Sequence, residues 1–319
     1  MVSPHAVAAL LLLLLLLLLL RSRLTASRFS LDDRVVLITG AGSGLGRALV
    51  QKFCGHAARV TLVLVDIDTR ALERVRADLL QRKGKTDTNV LIYTCDVSDD
   101  KAVDACVKEI HKQIAPKRID VLVNNAGIVS GKSLLELSAA QIRATFAVNT
   151  LAHFWMVRAV LPSMKQCKDG LIVSVSSVMG MASSAGLTDY CASKAAINGF
   201  HESLRLELQR DHLDHIRTLL VCPSAVDTGM FDGAFQGDSS SMRLARMIVP
   251  LLDEQDVVDC IYDAMLSGKK LLIYCSKGWR GRVIPWVASI SRLLPVEWFD
   301  WLLSLAGGHH GMDKFVGRK

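Results

Sequence analysis

Tyr190 and Lys194 stand four residues apart in Tyr190-Cys191-Ala192-Ser193-Lys194, a spacing that puts both side chains on one face of a helix. A phenol beside an ammonium is a proton-transfer pair. Bringing a tyrosine from its free pKa of ~10 to ~7 takes about 4 kcal/mol of preferential phenolate stabilisation, and nearby positive charge in a partly dry pocket can supply it.

A second chemistry is written near the start of the chain. Thr39-Gly40-Ala41-Gly42-Ser43-Gly44-Leu45-Gly46-Arg47 follows an apolar run and precedes a helical pattern. Glycines there allow a tight turn and close backbone approach to a pyrophosphate, whose charge is met by the N–H groups and dipole of the helix start. Asp66 ends the next apolar run, 20 positions beyond Gly46, where a carboxylate accepts from adenosine ribose hydroxyls and repels a 2′-phosphate. NAD is therefore favoured over NADP, with Arg47 and Arg70 as the cations that keep NADP open.

The elements that must position these groups alternate along the chain. Apolar, β-branched runs at Val35–Thr39, Val60–Val65, Val90–Cys95, Val121–Val123, Leu171–Val175, Arg217–Val221 and Leu271–Tyr274 read as strands covered on both faces. Helical stretches lie between them, among them Thr69–Lys83, Ser138–Leu161 and Ser184–Arg210. The alternation predicts a Rossmann-type, doubly wound parallel sheet of about seven strands in one domain, residues 31–276. Gly229–Met247 breaks the pattern and reads as a loop, a position a lid over a pocket would occupy.

From about Asp33 to Tyr274 the chain resembles the short-chain dehydrogenase/reductase family, on the glycine pattern from Thr39, on Cys95-Asp96-Val97, on Asn124-Asn125-Ala126-Gly127 and on the Tyr190-to-Lys194 element. Ser177, 13 residues before Tyr190, and Asn149 complete its tetrad. The resemblance implies that Tyr190 removes an alcohol proton while the carbinol carbon gives a hydride to the dinucleotide. Ser177 would hold the substrate oxygen, Lys194 would also bind the nicotinamide ribose, and Asn149 would anchor a water that passes the proton onward. It further implies dinucleotide contacts from Gly40, Ser43, Gly44, Leu45, Gly46 and Asp66, then Asp96 and Val97 at the adenine, and Asn125, Ala126 and Gly127 beyond the fourth strand. Pro223 would also bind the cofactor, and the backbone of Val226 and the hydroxyl of Thr228 would grip the carboxamide; Ser224 replaces the family's commoner glycine.

The chain has 319 residues, 50% hydrophobic, with 38 Lys+Arg against 31 Asp+Glu. The net charge of +7 is mild and does not imply nucleic-acid binding. Eight cysteines without a CxxC pair suit a reducing compartment better than a disulfide or zinc scaffold, and no metal-ligand spacing occurs. His153, His201 and Cys191 read as packed side chains.

The ends differ from the body. Ala6–Leu20 is wholly apolar, with leucine throughout Leu10–Leu20 and Arg21, Arg23 and Arg28 after it. Residues 1–28 thus read as an uncleaved membrane anchor with a basic flank, the main domain facing the cytosol. Residues 277–319 contain Trp279, Trp286, Trp298 and Trp301 among Lys277, Arg280, Arg282 and Arg292. That composition suits an amphipathic segment lying on a membrane, or a helical pair closing over the active site or forming a dimer contact.

Gly127–Lys132, Ala152–Trp155, Asp227–Phe231 and the ending Gly311–Arg318 resemble the membrane-anchored retinol dehydrogenase branch, which also holds 17β-hydroxysteroid dehydrogenases. This implies oxidation of all-trans-retinol or another lipophilic alcohol such as a hydroxysteroid at the endoplasmic reticulum or a lipid droplet, by a homodimer paired through Ser138–Leu161 and Ser184–Arg210. An NADPH-dependent reductase of a lipophilic carbonyl, and a non-catalytic dinucleotide-binding scaffold, are the competing readings.

Overall fold

In the computed structural model, residues 29–56, 59–81, 87–234, 243, 246–247 and 249–317 are described. The anchor expected in residues 1–28, and residues 235–242 and 244–245 of the expected loop, lie outside them.

Seven strands form one parallel sheet: β1 (Arg34–Thr39), β2 (Arg59–Asp66), β3 (Asp87–Thr94), β4 (Val121–Asn124), β5 (Gly170–Val175), β6 (Ile216–Pro223) and β7 (Leu271–Tyr274). Their order is β3-β2-β1-β4-β5-β6-β7. In β1, Val36 and Ile38 enter one core and Val35 and Leu37 the other, all completely buried, so the strand is apolar at every position because both faces are covered. The chain leaves β1 toward β2 and returns to place β4 on its other side. The reversal opens a crevice at the carboxyl ends of β1 and β4, where ligands bind in open sheets of this kind.

Helices α1 (Gly44–His56), α2 (Thr69–Gln81) and α3 (Asp100–Ile114) follow β1, β2 and β3. Asp99 caps α3 by accepting from the amides of Lys101 and Ala102. Between β4 and β5 the structure departs from the single helix expected over Ser138–Leu161. A first helix, α4 (Ala139–Phe146), passes through a wider π-helical stretch, Ala147–Leu151, into α5 (Ala152–Met164). Such a bulge often marks a functional position in a helix.

The next helix, α6 (Thr188–Arg210), starts later than the expected Ser184. Gly186 has φ +75°, and Ser184 and Ala185 are engaged by Gly308, far along the chain. After β6 come α7 (Glu254–Leu266), β7, and the helices α8 (Trp279–Ser291) and α9 (Val296–Leu305). Among the described residues no helix is long and apolar enough to cross a membrane.

Candidate active site

The glycine turn is built by close approach. Gly40 has φ +65°, and a Cβ there would lie 2.9 Å from the Ala126 Cα. A Cβ on Gly46 would lie 2.1 Å from the Gly40 carbonyl oxygen and 2.6 Å from Asn125 Nδ2, so the first turn of α1 presses directly on the loop. Asn125 Nδ2 donates to the carbonyls of Thr39 and Gly40 at 2.9 and 3.3 Å. Thr39 Oγ1 in turn accepts from the amides of Asn125 and Ala126 at 3.0 and 3.1 Å. At the end of β2, Asp66 accepts from the Gly42 amide at 2.8 Å and the Asp68 amide at 3.1 Å. The carboxylate thus pins the turn while half-buried at the cleft edge. A turn without side chains, a helix start and a carboxylate 24 residues from Gly42 fit a dinucleotide's pyrophosphate and ribose.

A cleft of about 340 Å³ runs across the carboxyl ends of the strands. Gly40, Ser43, Gly44 and Leu45 line its start, and Asp66, Asp96 and Val97 one end. Asn125, Ala126 and Gly127 line its middle; Ser177, Tyr190, Lys194, Pro223, Val226 and Thr228 line the other end. Two expected residues stand back from the wall. Gly46 is where helix and turn touch, and Asn149 is wholly buried behind the cleft. Sequence reasoning missed Ile67, Ile128 and Phe231, which also line it. The available signal was adjacency: Ile67 directly follows Asp66 and Ile128 directly follows Gly127, both already assigned to the cleft.

At the far end α6 brings Tyr190 and Lys194 together, both buried. Lys194 Nζ lies 5.6 Å from the Tyr190 ring centroid and donates to the Val175 carbonyl at 3.1 Å. Ser177 Oγ accepts from the Met179 amide at 3.1 Å and donates to the Pro223 carbonyl at 3.4 Å. Asn149, inside the π-helical stretch, accepts from the Ile128 amide at 2.8 Å and donates to the Ile128 carbonyl at 2.9 Å and Ser193 Oγ at 3.0 Å. Ser193 passes the link on by donating to the Tyr190 carbonyl at 2.7 Å. The bulge therefore registers β4's loop against the helix that carries Tyr190.

Burial dominates the electrostatics. It pushes the Tyr190 phenol above its ordinary value, against the opposing pull of the Ser177 hydroxyl, and pulls Lys194 down to about 8. Lowering the phenol thus demands positive charge beyond what this chain places there. His153 and His201 are packed side chains, as expected: His153 stands edge-on to Phe200 at 6.3 Å, and His201 Nδ1 pairs with Ser174 Oγ at 2.9 Å. Burial lowers them to about 3 and about 4, so both are neutral near pH 7. Among the described residues no cluster of His, Cys, Asp and Glu could hold a metal.

The profile of the family described as short chain dehydrogenase matches residues 34–239. The chain is 37% identical over 311 residues to retinol dehydrogenase 10 of Homo sapiens, covering 91% of this chain and 87% of that one. A short-chain dehydrogenase/reductase from Burkholderia phymatum, solved in complex with NAD, superposes with a TM-score of 0.68 at 27% identity, over 83% of this chain and 95% of that one. A metagenomic short-chain oxidoreductase in complex with NADP superposes with a TM-score of 0.61 at 28% identity, over 77% and 98%.

Proposed function

Since the chain belongs to the short-chain dehydrogenase family and is an NAD(P)-dependent oxidoreductase, we propose that it oxidises a lipophilic alcohol, all-trans-retinol or a hydroxysteroid, with NAD. The observation that carries this reading is the apolar wall around Tyr190. Leu187, Cys191, Ala234 and Met312 form one buried cluster with it, and Phe231 stands edge-on at 5.9 Å. The likeness to retinol dehydrogenase 10 supports the same substrate class.

NAD, when bound, supplies the hydride acceptor and a positive charge beside the site. With the phenolate favoured by that charge and by the Lys194 ammonium, Tyr190 would accept the alcohol proton at its phenolate oxygen and become the neutral phenol. Ser177 donates to the substrate oxygen and holds it against Tyr190. Lys194 keeps an ammonium near the developing phenolate and would offer hydrogen bonds to the nicotinamide ribose of the bound dinucleotide. Asn149 holds Ile128 and Ser193 in register and would anchor a water that passes the proton onward. The carboxylate of Asp66 favours a free ribose hydroxyl over a 2′-phosphate, and Arg47, one of the two cations that keep NADP open, is engaged with Glu254 at 3.6 Å.

A membrane or lipid-droplet surface, such as that of the endoplasmic reticulum, is the place where such alcohols are met. The outward faces of α8 and α9 suit it: Trp279, Trp286, Trp298 and Trp301 are all exposed, beside Val283, Val287, Ile290 and the 84% exposed Leu293. Indole rings and cations belong at headgroup depth. Pairing with a second copy through α4 to α6 would cover the exposed Leu151, Phe154 and Leu206. The test is turnover by the purified protein in lipid vesicles, with retinoids, sterols and short alcohols and with each dinucleotide. NAD-linked oxidation of retinol or a sterol is expected; a preference for NADPH with retinal or a ketosteroid would reverse the direction.

A further inference from the structure

Residues 311–317 pack against Tyr190 and Phe231, two residues that line the catalytic end of the cleft, and three separate elements leave room for them. On the loop after β4, Gly131 has φ +61°, and an added Cβ would lie 2.0 Å from Phe315 Cδ1. Before α6, Gly186 has φ +75° and its Cβ would meet the Met312 Cβ at 3.0 Å. After β6, Gly233 has φ +79° and its Cβ would lie 2.1 Å from the Lys314 carbonyl oxygen.

Hydrogen bonds pin the backbone on both sides of this seat. The amides of Val316 and Gly317 donate to the Asp232 carbonyl at 2.9 and 3.1 Å. Upstream, Ser184 Oγ and the Ala185 amide donate to the Gly308 carbonyl at 2.9 and 2.8 Å. A positive φ disfavours any side chain. Three such positions, each also filled by the same segment where a Cβ would go, make a built seat out of what one contact would leave as chance packing.

Met312 and Phe315 complete the apolar cluster around Tyr190, with Leu187, Phe231, Val129 and Met179. None of these carries charge, while Asp313 and Lys314 are exposed. A carboxylate or phosphate carried away from the reacting carbon and against these side chains would lose hydration with no charged partner among them.

We propose that residues 311–317 are a fixed wall of the substrate site, and that Met312 and Phe315 are specificity-determining residues that select elongated, uncharged apolar alcohols or carbonyls. The inference deepens the oxidoreductase reading and rests on it. Phe315→Ala and Met312→Ala are compared with wild type for retinol, for 1-hexanol and for NAD affinity. The expected result is a retinol KM raised at least tenfold, with kcat/KM for 1-hexanol changed less than threefold and NAD affinity unchanged. An unchanged retinol KM, or an equal loss on both alcohols with NAD affinity intact, overturns the proposal. Should Phe315→Ala lose NAD binding, Phe315→Leu replaces it, with a threefold rise in retinol KM expected and no rise overturning the wall. Retinol fluorescence titrated without NAD, where no turnover occurs, separates the two readings. Tenfold weaker binding to the variant of a chain that oxidises no lipophilic alcohol would keep the wall and sink the reaction; unchanged binding in an active enzyme would do the reverse.

Discussion

Lys194 Nζ sits 5.6 Å from the Tyr190 ring centroid with the Val175 carbonyl as its hydrogen-bond acceptor at 3.1 Å, and burial has drawn its pKa down to about 8. Helix α6 therefore holds a cation in a dry place to serve one phenol. Removing the phenol oxygen takes away the proton acceptor and leaves the dinucleotide cradle untouched. Tyr190→Phe should lower kcat by about 10³-fold, with NAD affinity changed less than threefold, as read by steady-state kinetics and isothermal titration. Near wild-type turnover would remove Tyr190 from its role.

Lys194 works against the fold. Its folded value of about 8 lies below the ordinary 10.5, so the stability it permits is present above pH ~10.5 and is lost as pH falls through 8. At pH 7 the buried ammonium is a penalty of about 3 kcal/mol. Lys194→Met should abolish activity, raise the unfolding midpoint in urea, and remove the rise in stability between pH 8 and 10. A less stable variant would show that the cation is held by more than the Val175 carbonyl.

At Asp66 charge and turn geometry can be separated. Asp66→Asn keeps an oxygen for the Gly42 amide, now bonded at 2.8 Å, but drops the negative charge. The NAD-to-NADP affinity ratio should fall by about tenfold, a charge-assisted hydrogen bond contributing roughly 1.5–3 kcal/mol. Asp66→Ala should also weaken both dinucleotides by loosening the turn. An unaltered ratio in the asparagine variant would place the discrimination elsewhere.

Gly46 has no room for a methyl group, because its Cβ would lie 2.1 Å from the Gly40 oxygen. Gly46→Ala must push α1 from the turn, with an expected loss of about 1–3 kcal/mol in stability and at least a tenfold loss in dinucleotide affinity. Calorimetry with and without NAD reads both. Normal affinity would mean that the turn adapts and that the close approach is dispensable.

His153 sets an acid limit. Burial lowers it to about 3 from 6.5; its contribution to stability is present above pH 6.5 and drains away as pH falls toward 3. At pH 5 that amounts to about 2 kcal/mol. His153→Leu should lose less stability between pH 7.5 and pH 5 than wild type does, by denaturant unfolding at each pH. Parallel curves would assign the acid sensitivity to His201 or another group.

The seven strands were legible because each is a run of apolar residues covered on both faces, a property carried by neighbours in the chain. The glycine turn and the Tyr190–Lys194 spacing were legible for the same reason: a tight turn and one helical turn are local geometry. Boundaries failed where distant chain intervened. Helix α6 starts at Thr188 because Gly308 takes the hydrogen-bonding groups of Ser184 and Ala185. The helix expected over Ser138–Leu161 opens at Asn149 because its amide reaches Ile128 and Ser193.

Residue types and short spacings by themselves determined the sheet, the cradle and the proton-transfer pair. Only the tertiary structure decided that Met312 and Phe315 return to pack in the apolar cluster around Tyr190, and that burial, not the lysine, governs the phenol's starting pKa. The physical reason is common to both: burial and contact are sums over atoms brought from distant parts of the chain, and no local pattern carries them.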